Sequence, residues 1–457
     1  MTAYDAEDIA IEQRPDVRLL VAAIIVLATG GVLWARLMGD VIFKASILGA
    51  LAAVAAMIFW EPLIGLCLMV FLVPIENLLS FAGGWIAVTK VIGIITFASF
   101  LCKAQMRHGI LRFDRQSRWI LAFAAWIALS FLWAKHKYSA PFMALTTMQL
   151  ALLWVLLRAT LKTPEDLLAV SIYFIGGTLL AITVSVFLPR WGLAPRLIFS
   201  TGDPNHLARD IVVSLLLLLY HAPRSRSWGR LTALATGGCL LLGLVLTQSR
   251  SGWVAATVCL PIILIGHKKV MPVAVIGVMA FLAMVLFSMQ VLSAHLGVTT
   301  TELEERGESM FQMTRIRASR LDIWRAGIIL GSHHPIFGVG AGGFVEQIPE
   351  GIEAMRTEYL AKRSVGAHNS FVCAFAELGL VGLILLTGIL WHCGRFIAQQ
   401  PPSLEKVVAW ALFASAIVEM TFLTAHYHKA TWFTLALSQI VLVKEMGERE
   451  AVDDVVS

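Results

Sequence analysis

The stretch His368–Trp391 reads HNSFVCAFAELGLVGLILLTGILW. From Phe371 onward it is an unbroken apolar run except for one charge, Glu377. A helix that crosses the hydrocarbon of a bilayer needs ~20 mainly apolar residues, and this run is long enough. The rest of the chain repeats the pattern. Of 457 residues, 58% are hydrophobic and 14% charged, with a mean hydropathy of +0.78. A soluble core cannot bury that much apolar surface, so lipid is the natural solvent. Working outward from 371–391, further candidate spans are 17–37, 41–59, 62–80, 86–102, 118–133, 141–157, 167–188, 207–221, 231–248, 252–266, 270–292, 404–423 and 430–444. The pairs 41–80 and 404–444 are the weakest. The expectation is an all-α polytopic membrane protein with about 12–14 transmembrane helices.

The N-terminus opens with Asp5, Glu7, Asp8, Glu12 and Asp16, which outnumber Arg14 and Arg18. A cleavable signal would begin with a basic region, so the first span reads as a retained helix. Lys and Arg concentrate in 103–118, 221–230 and 266–269, with Arg158, Lys162, Arg395 and Lys406 on the same side. The positive-inside rule makes that side cytoplasmic. Both termini then face the cytoplasm, and the long polar segment 293–370 faces outward, into the periplasm of a bacterium with two membranes. The chain reads as a single integral membrane domain, 1–457, with 293–370 inserted as one large, partly helical loop. Within it, Thr314 to Gly331 predicts a helix carrying Ile316, Ile323 and Ile328 among basic residues. The acidic tail 448–457 is expected to be disordered.

The net charge of +6 follows from the cytoplasmic anchors, and no cluster resembles a nucleic-acid footprint. The six cysteines are scattered in or beside the spans, without a zinc-type spacing, and read as packing residues. Trp34, Trp60, Trp85, Trp133, Trp253 and Trp391 sit near span ends, as an interfacial belt requires. No cofactor and no metal are expected.

Three stretches on the outer side carry polar chemistry. Gly202-Asp203-Pro204-Asn205-His206-Leu207-Ala208-Arg209 opens a helix that Asp203 or Asn205 could cap. It suits a plain helix start, and equally a set in which Asn205, His206 and Arg209 meet an anionic headgroup. Gln248-Ser249-Arg250-Ser251-Gly252 is a short turn between two apolar spans. Arginine at membrane depth is costly unless it faces a polar cavity or a partner. Its planar fork matches phosphate oxygens, although snorkelling to lipid headgroups is the competing reading. The third stretch holds Arg315, Arg317, Arg320 and Arg325, with Trp324 one helical turn after Arg320. In a helix Arg317 and Arg320 share a face and the others point elsewhere. A solvated basic helix would look the same. Trp324 could stack on Arg320 or on a sugar. The following run, His333 to Phe344, is rich in glycine but lacks the lysine and hydroxyl of a P-loop and follows no strand.

His368 and Asn369 then open the 371–391 span. An imidazole can accept a hydroxyl proton near neutral pH, with Asn369 orienting the ring or an acceptor. A helix cap is the simpler account of the pair. Glu377, inside the apolar helix, needs a buried base or water. Gly379 and Gly382 offer a close helix–helix contact.

Taken in order, Gly202-Asp203-Pro204-Asn205, Ser249-Arg250-Ser251-Gly252, Arg320-Leu-Asp-Ile-Trp324, Gly338-Val-Gly-Ala-Gly342 and His368-Asn369-x9-Gly379-x2-Gly382 resemble the O-antigen ligase and O-antigen polymerase superfamily. The likeness covers about 200–390. It implies a GT-C-like membrane glycosyltransferase of the bacterial inner membrane with its active site facing the periplasm. The implied donor is a glycan on undecaprenyl pyrophosphate, and the implied acceptor a lipid A–core sugar (ligase) or another carrier-linked repeat unit (polymerase). Membrane lipids surround it and nucleic acid plays no part. By the same resemblance, Arg250 holds the pyrophosphate, His368 activates the acceptor hydroxyl, and the loop arginine is Arg320 or Arg317, with Arg325 nearby. Asn205, Arg209, Trp324 and Asn369 join the substrate-binding set. With no Asp-x-Asp motif on the outer side, the arginines take the place of the cation used elsewhere in glycosyl transfer, and a single displacement inverts the anomeric centre. Ligase is the first expectation, exopolysaccharide or O-antigen polymerase the second, and a polysaccharide or lipid transporter a more distant third.

Overall fold

The computed structural model describes residues 52–81, 86–106, 115–135, 137, 139–187, 203–224, 227–266, 320–354 and 366–456. The expected spans 17–37 and 270–292, most of 41–59, and the arginines Arg315 and Arg317 lie outside these residues. What is described is almost wholly helical, and the protein is an all-α polytopic membrane protein. After a helical stretch at 52–60, the helices are α1 Pro62–Leu72, α2 Val88–Met106, α3 Arg115–Leu129, α4 Ser139–Thr160, α5 Pro164–Phe187, α6 Pro204–His221, α7 Ser227–Thr247, α8 Arg250–Gly266, α9 Arg320–His333, α10 Phe344–Ala354, α11 Ser370–Gln399, α12 Leu404–Phe422 and α13 Lys429–Val456. A two-residue hairpin, Ser80–Phe81 against Ile86–Ala87, joins α1 to α2.

Among the described residues, Ser139–Thr160, Pro164–Val186, Gly229–Thr247 and Ser370–Gln399 are long and apolar enough to cross a bilayer, with shorter apolar helices at Pro62–Glu76 and Arg250–Ile263. The tail expected to be disordered instead continues α13 through Val456. Glu, Arg and Ala dominate its start, strong helix formers with no proline to stop them.

The chain divides into two compact units. In the first, drawn from 52–106 and 156–180, α1 packs on α2. Gly65 and Gly177 allow close approach there: a methyl group at Gly65 would collide with Thr96, and one at Gly177 with the Phe71 carbonyl. In the second unit, α8 packs on α6 and α12, α12 on α13, and α3 on α11. The expected loop helix is present from Arg320, and α9, α10 and the start of α11 enclose a small core of Ile323, Leu330, Val339, Phe344, Ile348, Ile352 and Cys373. Burying each of the larger of these side chains contributes about 1.5–3 kcal/mol. Ile323 is buried but Ile328, five residues on, points outward, because five residues exceed one helical turn.

Candidate active site

The turn before α8 is built onto the start of α6. Asp203 caps α6, its Oδ1 accepting from the Asn205 backbone amide at 2.8 Å and from Asn205 Nδ2 at 2.7 Å. Asn205 Oδ1 in turn accepts from the Ser249 and Ser251 hydroxyls at 2.7 and 3.1 Å. Ser249 Oγ accepts from the Gly252 amide, and a methyl group on Gly252 would strike Ala208. Four residues thus lock the two segments together and set the direction in which Arg250 leaves the helix start. Arg250 is exposed and makes no ion pair among the described residues.

His368 sits at φ 46°, a left-handed conformation unusual for a residue with a side chain, and a device that aims it. Its neighbours hold it there. Asn369 Oδ1 caps α11 by accepting from the Phe371 and Val372 amides at 2.9 and 3.0 Å. Ser370 Oγ donates to the Leu423 carbonyl at 2.9 Å and accepts from the Ala425 amide at 2.8 Å, fastening the helix start to the α12–α13 connection. Trp324 Nε1 donates to the Ala367 carbonyl at 3.1 Å, tying α9 to the same point.

Electrostatics show that these pieces meet. Burial lowers the His368 imidazole below its ordinary pKa, the Arg320 cation lowers it further, and the Asp203 carboxylate opposes both. Burial likewise lowers the Arg320 guanidinium, with Asp203 opposing and Arg250 adding to the effect. Arg320 therefore lies within electrostatic reach of Asp203, Arg250 and His368, and His368 within reach of Asp203. Arg320 and His368 lie near the Asp203 carboxylate, and Arg250 lies near Arg320. Such a place favours an anion.

Arg209 differs from the expectation that it faces a headgroup. It is buried, and its Nε and Nη1 donate to Asp210 Oδ1 and Glu419 Oε1, both at 2.8 Å. Two carboxylates already neutralise it, so it has no charge to spare for a phosphate. Thr431 Oγ1 adds a bond to Glu419, and His206 lies against both Arg209 Nη1 and the His428 ring, 4.2 Å away between centroids. Arg325 is exposed and pairs with Asp322 at 3.9 Å. Trp324 and Asn369 spend their polar atoms on the backbone around His368.

The second half of the last motif has a backbone explanation. α11 breaks at Gly379, where φ is 67° and ψ −166°. The carbonyls freed by the break are satisfied from outside the helix. The Val339 amide donates to Ala376 at 3.0 Å, Gly340 to Glu377 at 2.8 Å, and Trp126 Nε1 to Leu378 at 3.0 Å, while the Leu380 amide donates to the Pro335 carbonyl at 2.8 Å. The run His333–Phe344 is the strap that clamps this break, and Gly338, Gly340 and Gly342 all adopt positive φ to follow it. A methyl group on Gly379 would overlap the Ile336 carbonyl, and one on Gly338 the backbone of Glu377. Glu377 makes no ion pair among the described residues. Its carboxylate accepts from the Phe344 amide at 3.1 Å and the Tyr427 hydroxyl at 2.9 Å.

Comparison with known proteins adds one match. Residues 235–387 fit the model of the O-antigen ligase family. That segment of the chain is similar to the O-antigen ligase family. The matched third of the chain holds Arg250, Arg320, His368, the glycine strap and the α11 break. No curated protein matches the chain. Of the residues expected at the site, Arg320 lies within electrostatic reach of both Arg250 and His368. Asp203 enters the sequence analysis as a cap and as part of the Gly202–Asn205 motif, without a role beside Arg320, and the Ala425-His426-Tyr427-His428-Lys429 connection does not enter it. That cluster of titratable residues between two apolar spans was a usable signal.

Proposed function

We propose that this O-antigen ligase-family enzyme moves a glycan from undecaprenyl pyrophosphate to a lipid A–core sugar, at the periplasmic face of the bacterial inner membrane. The observation that carries the reading is the convergence of Arg250, Arg320 and His368 around Asp203. The donor's lipid tail enters between helices. Arg250 and Arg320 receive the pyrophosphate, which leaves with the electrons of the broken glycosidic bond, and stabilising that developing charge supplies most of the rate. His368 takes the proton of the acceptor hydroxyl as its oxygen attacks the anomeric carbon, and one displacement inverts the centre.

The charge balance suits the order of events. Before the donor binds, burial and the Arg320 cation help keep His368 neutral, the form a general base needs. Once the pyrophosphate offsets those cations, the imidazole holds a proton more readily. Asp203 steadies Arg320. Trp324 and Asn369 fix the backbone on either side of His368, while Asn205 fixes Arg250. Arg209 braces α6 against α12, and Arg317 and Arg325 remain candidates for outer contacts with the glycan.

Transfer by the purified chain tests this. Arg250→Ala, Arg320→Ala and His368→Ala should each lower the rate by about 10²–10³-fold, the usual effect of removing one group that stabilises transition-state charge. Arg250→Lys should stay impaired, because an ammonium cannot reproduce the fork. Full rates in all three alanine variants would refute the reading. The guanidinium groups supply the positive charge, so the rate should not depend on added Mg²⁺; strict Mg²⁺ dependence would overturn that part. Loss of the chain should leave bare core and accumulated carrier-linked polymer. Single-repeat products would make it a polymerase.

A further inference from the structure

Cys373 and Glu377 stand four residues apart on α11, so their side chains share a face. The α12–α13 connection brings His426 against them. One ligand atom from each of the three lies within 4.8 Å of the others. All three residues are buried, and His426 is fully so. Both ring nitrogens of His426 are buried with no hydrogen-bond partner. The ring packs on Phe123 and Tyr427, which satisfies its faces but not its nitrogens. Native proteins seldom leave a buried imidazole in that state, and where one occurs it calls for a ligand.

We propose that Cys373, Glu377 and His426 form a structural site for one divalent cation of the borderline-soft, zinc-like class. Thiolate, carboxylate and neutral imidazole are the donor set such ions take, in tetrahedral arrangement. Hard Mg²⁺ and Ca²⁺ prefer all-oxygen sites and avoid thiolate. Charge also closes. A dication with one thiolate and one carboxylate is neutral, which a site inside a membrane bundle demands. The Cys373 thiol, which now donates to Glu377, gives up its proton to solvent when the ion binds. The Phe344 amide and the Tyr427 hydroxyl each hold one Glu377 oxygen, the outer-shell support that metal-binding carboxylates receive. Tyr427 or a water would complete the fourth position. The ion would cross-link α11 to the α12–α13 connection, near the helix start that follows His368. The site shares no residue with the proposed glycan-transfer pocket, and the chemistry proposed there does not pass through it.

The test uses the full-length chain purified in detergent, incubated with Zn²⁺ and washed, with metal content measured by mass spectrometry. A single zinc per chain is expected. Cys373→Ser and His426→Ala should fall to near zero. Cys393→Ser, a buried cysteine on the same helix outside the cluster, should keep its zinc, and so should Arg250→Ala whatever its transfer activity. X-ray absorption at the zinc edge of the unmutated chain gives a readout that does not require the variants to fold. One sulfur at ~2.3 Å among nitrogen and oxygen neighbours at ~2.0–2.2 Å supports the site. A washed wild-type chain without zinc, full zinc in Cys373→Ser and His426→Ala, or a shell without sulfur overturns it.

Discussion

Two kinds of arginine can be told apart by their partners. Arg209 is neutralised by Asp210 and Glu419 and holds α6 to α12. Arg250 and Arg320 face each other near one carboxylate, Asp203, which leaves positive charge for a ligand. The two kinds should respond differently to substitution. Arg209→Ala strands two buried carboxylates and should cost about 3–5 kcal/mol, the penalty for breaking a buried pair. A thermal-shift assay in detergent would show a large drop in Tm. Arg250→Ala removes no partnered charge and should leave Tm nearly unchanged while transfer is lost. His368 makes a prediction in pH. Its pKa is lowered, so it remains a neutral base below the ordinary value of ~6.5, and the acid limb of the transfer rate should fall under that pH. In Arg320→Gln one depressing cation is gone, so the limb of the residual activity should move up. A limb that stays in place would remove Arg320 from the neighbourhood of His368.

At the scale of elements, the site depends on how α11 starts and where it breaks. Asn369, Ser370 and Trp324 fix the start, and Gly379 with the glycine strap fixes the break. Gly379 occupies a region of backbone space that other residues enter only at a cost of order 1–3 kcal/mol. Gly379→Ala should therefore lower Tm and transfer together, whereas Gly366→Ala, with nothing within 4 Å, should do neither. Equal effects of the two would mean that the break does not support the site. The sequence showed a span at 371–391 because apolar length is a local signal. It could not show the break, because the groups that accept and donate there come from the strap about forty residues earlier and from Trp126. Gly379 and Gly382 looked like a helix-packing pair, since spacing alone does not report a positive φ.

For the molecule as a whole, composition was enough to read a polytopic all-α membrane protein, and ordered motifs pointed to the family that residues 235–387 match. Partnership over long sequence distances was not legible. Nothing near Arg209 announces Glu419, and nothing near Asp203 announces Arg320. The small core of α9, α10 and α11 was hidden for the same reason, because a few apolar residues inside a long polar segment do not stand out by periodicity. What convergence from distant stretches yields is one electropositive pocket, with a base on one side and paired carboxylates held away from it. The most direct test of that pocket is a structure of the full chain bound to undecaprenyl pyrophosphate carrying an uncleaved glycan. The account predicts pyrophosphate oxygens within hydrogen-bond reach of both Arg250 and Arg320, with the anomeric carbon turned toward His368. Pyrophosphate bound elsewhere, or His368 on the far side of the donor from any path for an acceptor, would contradict it.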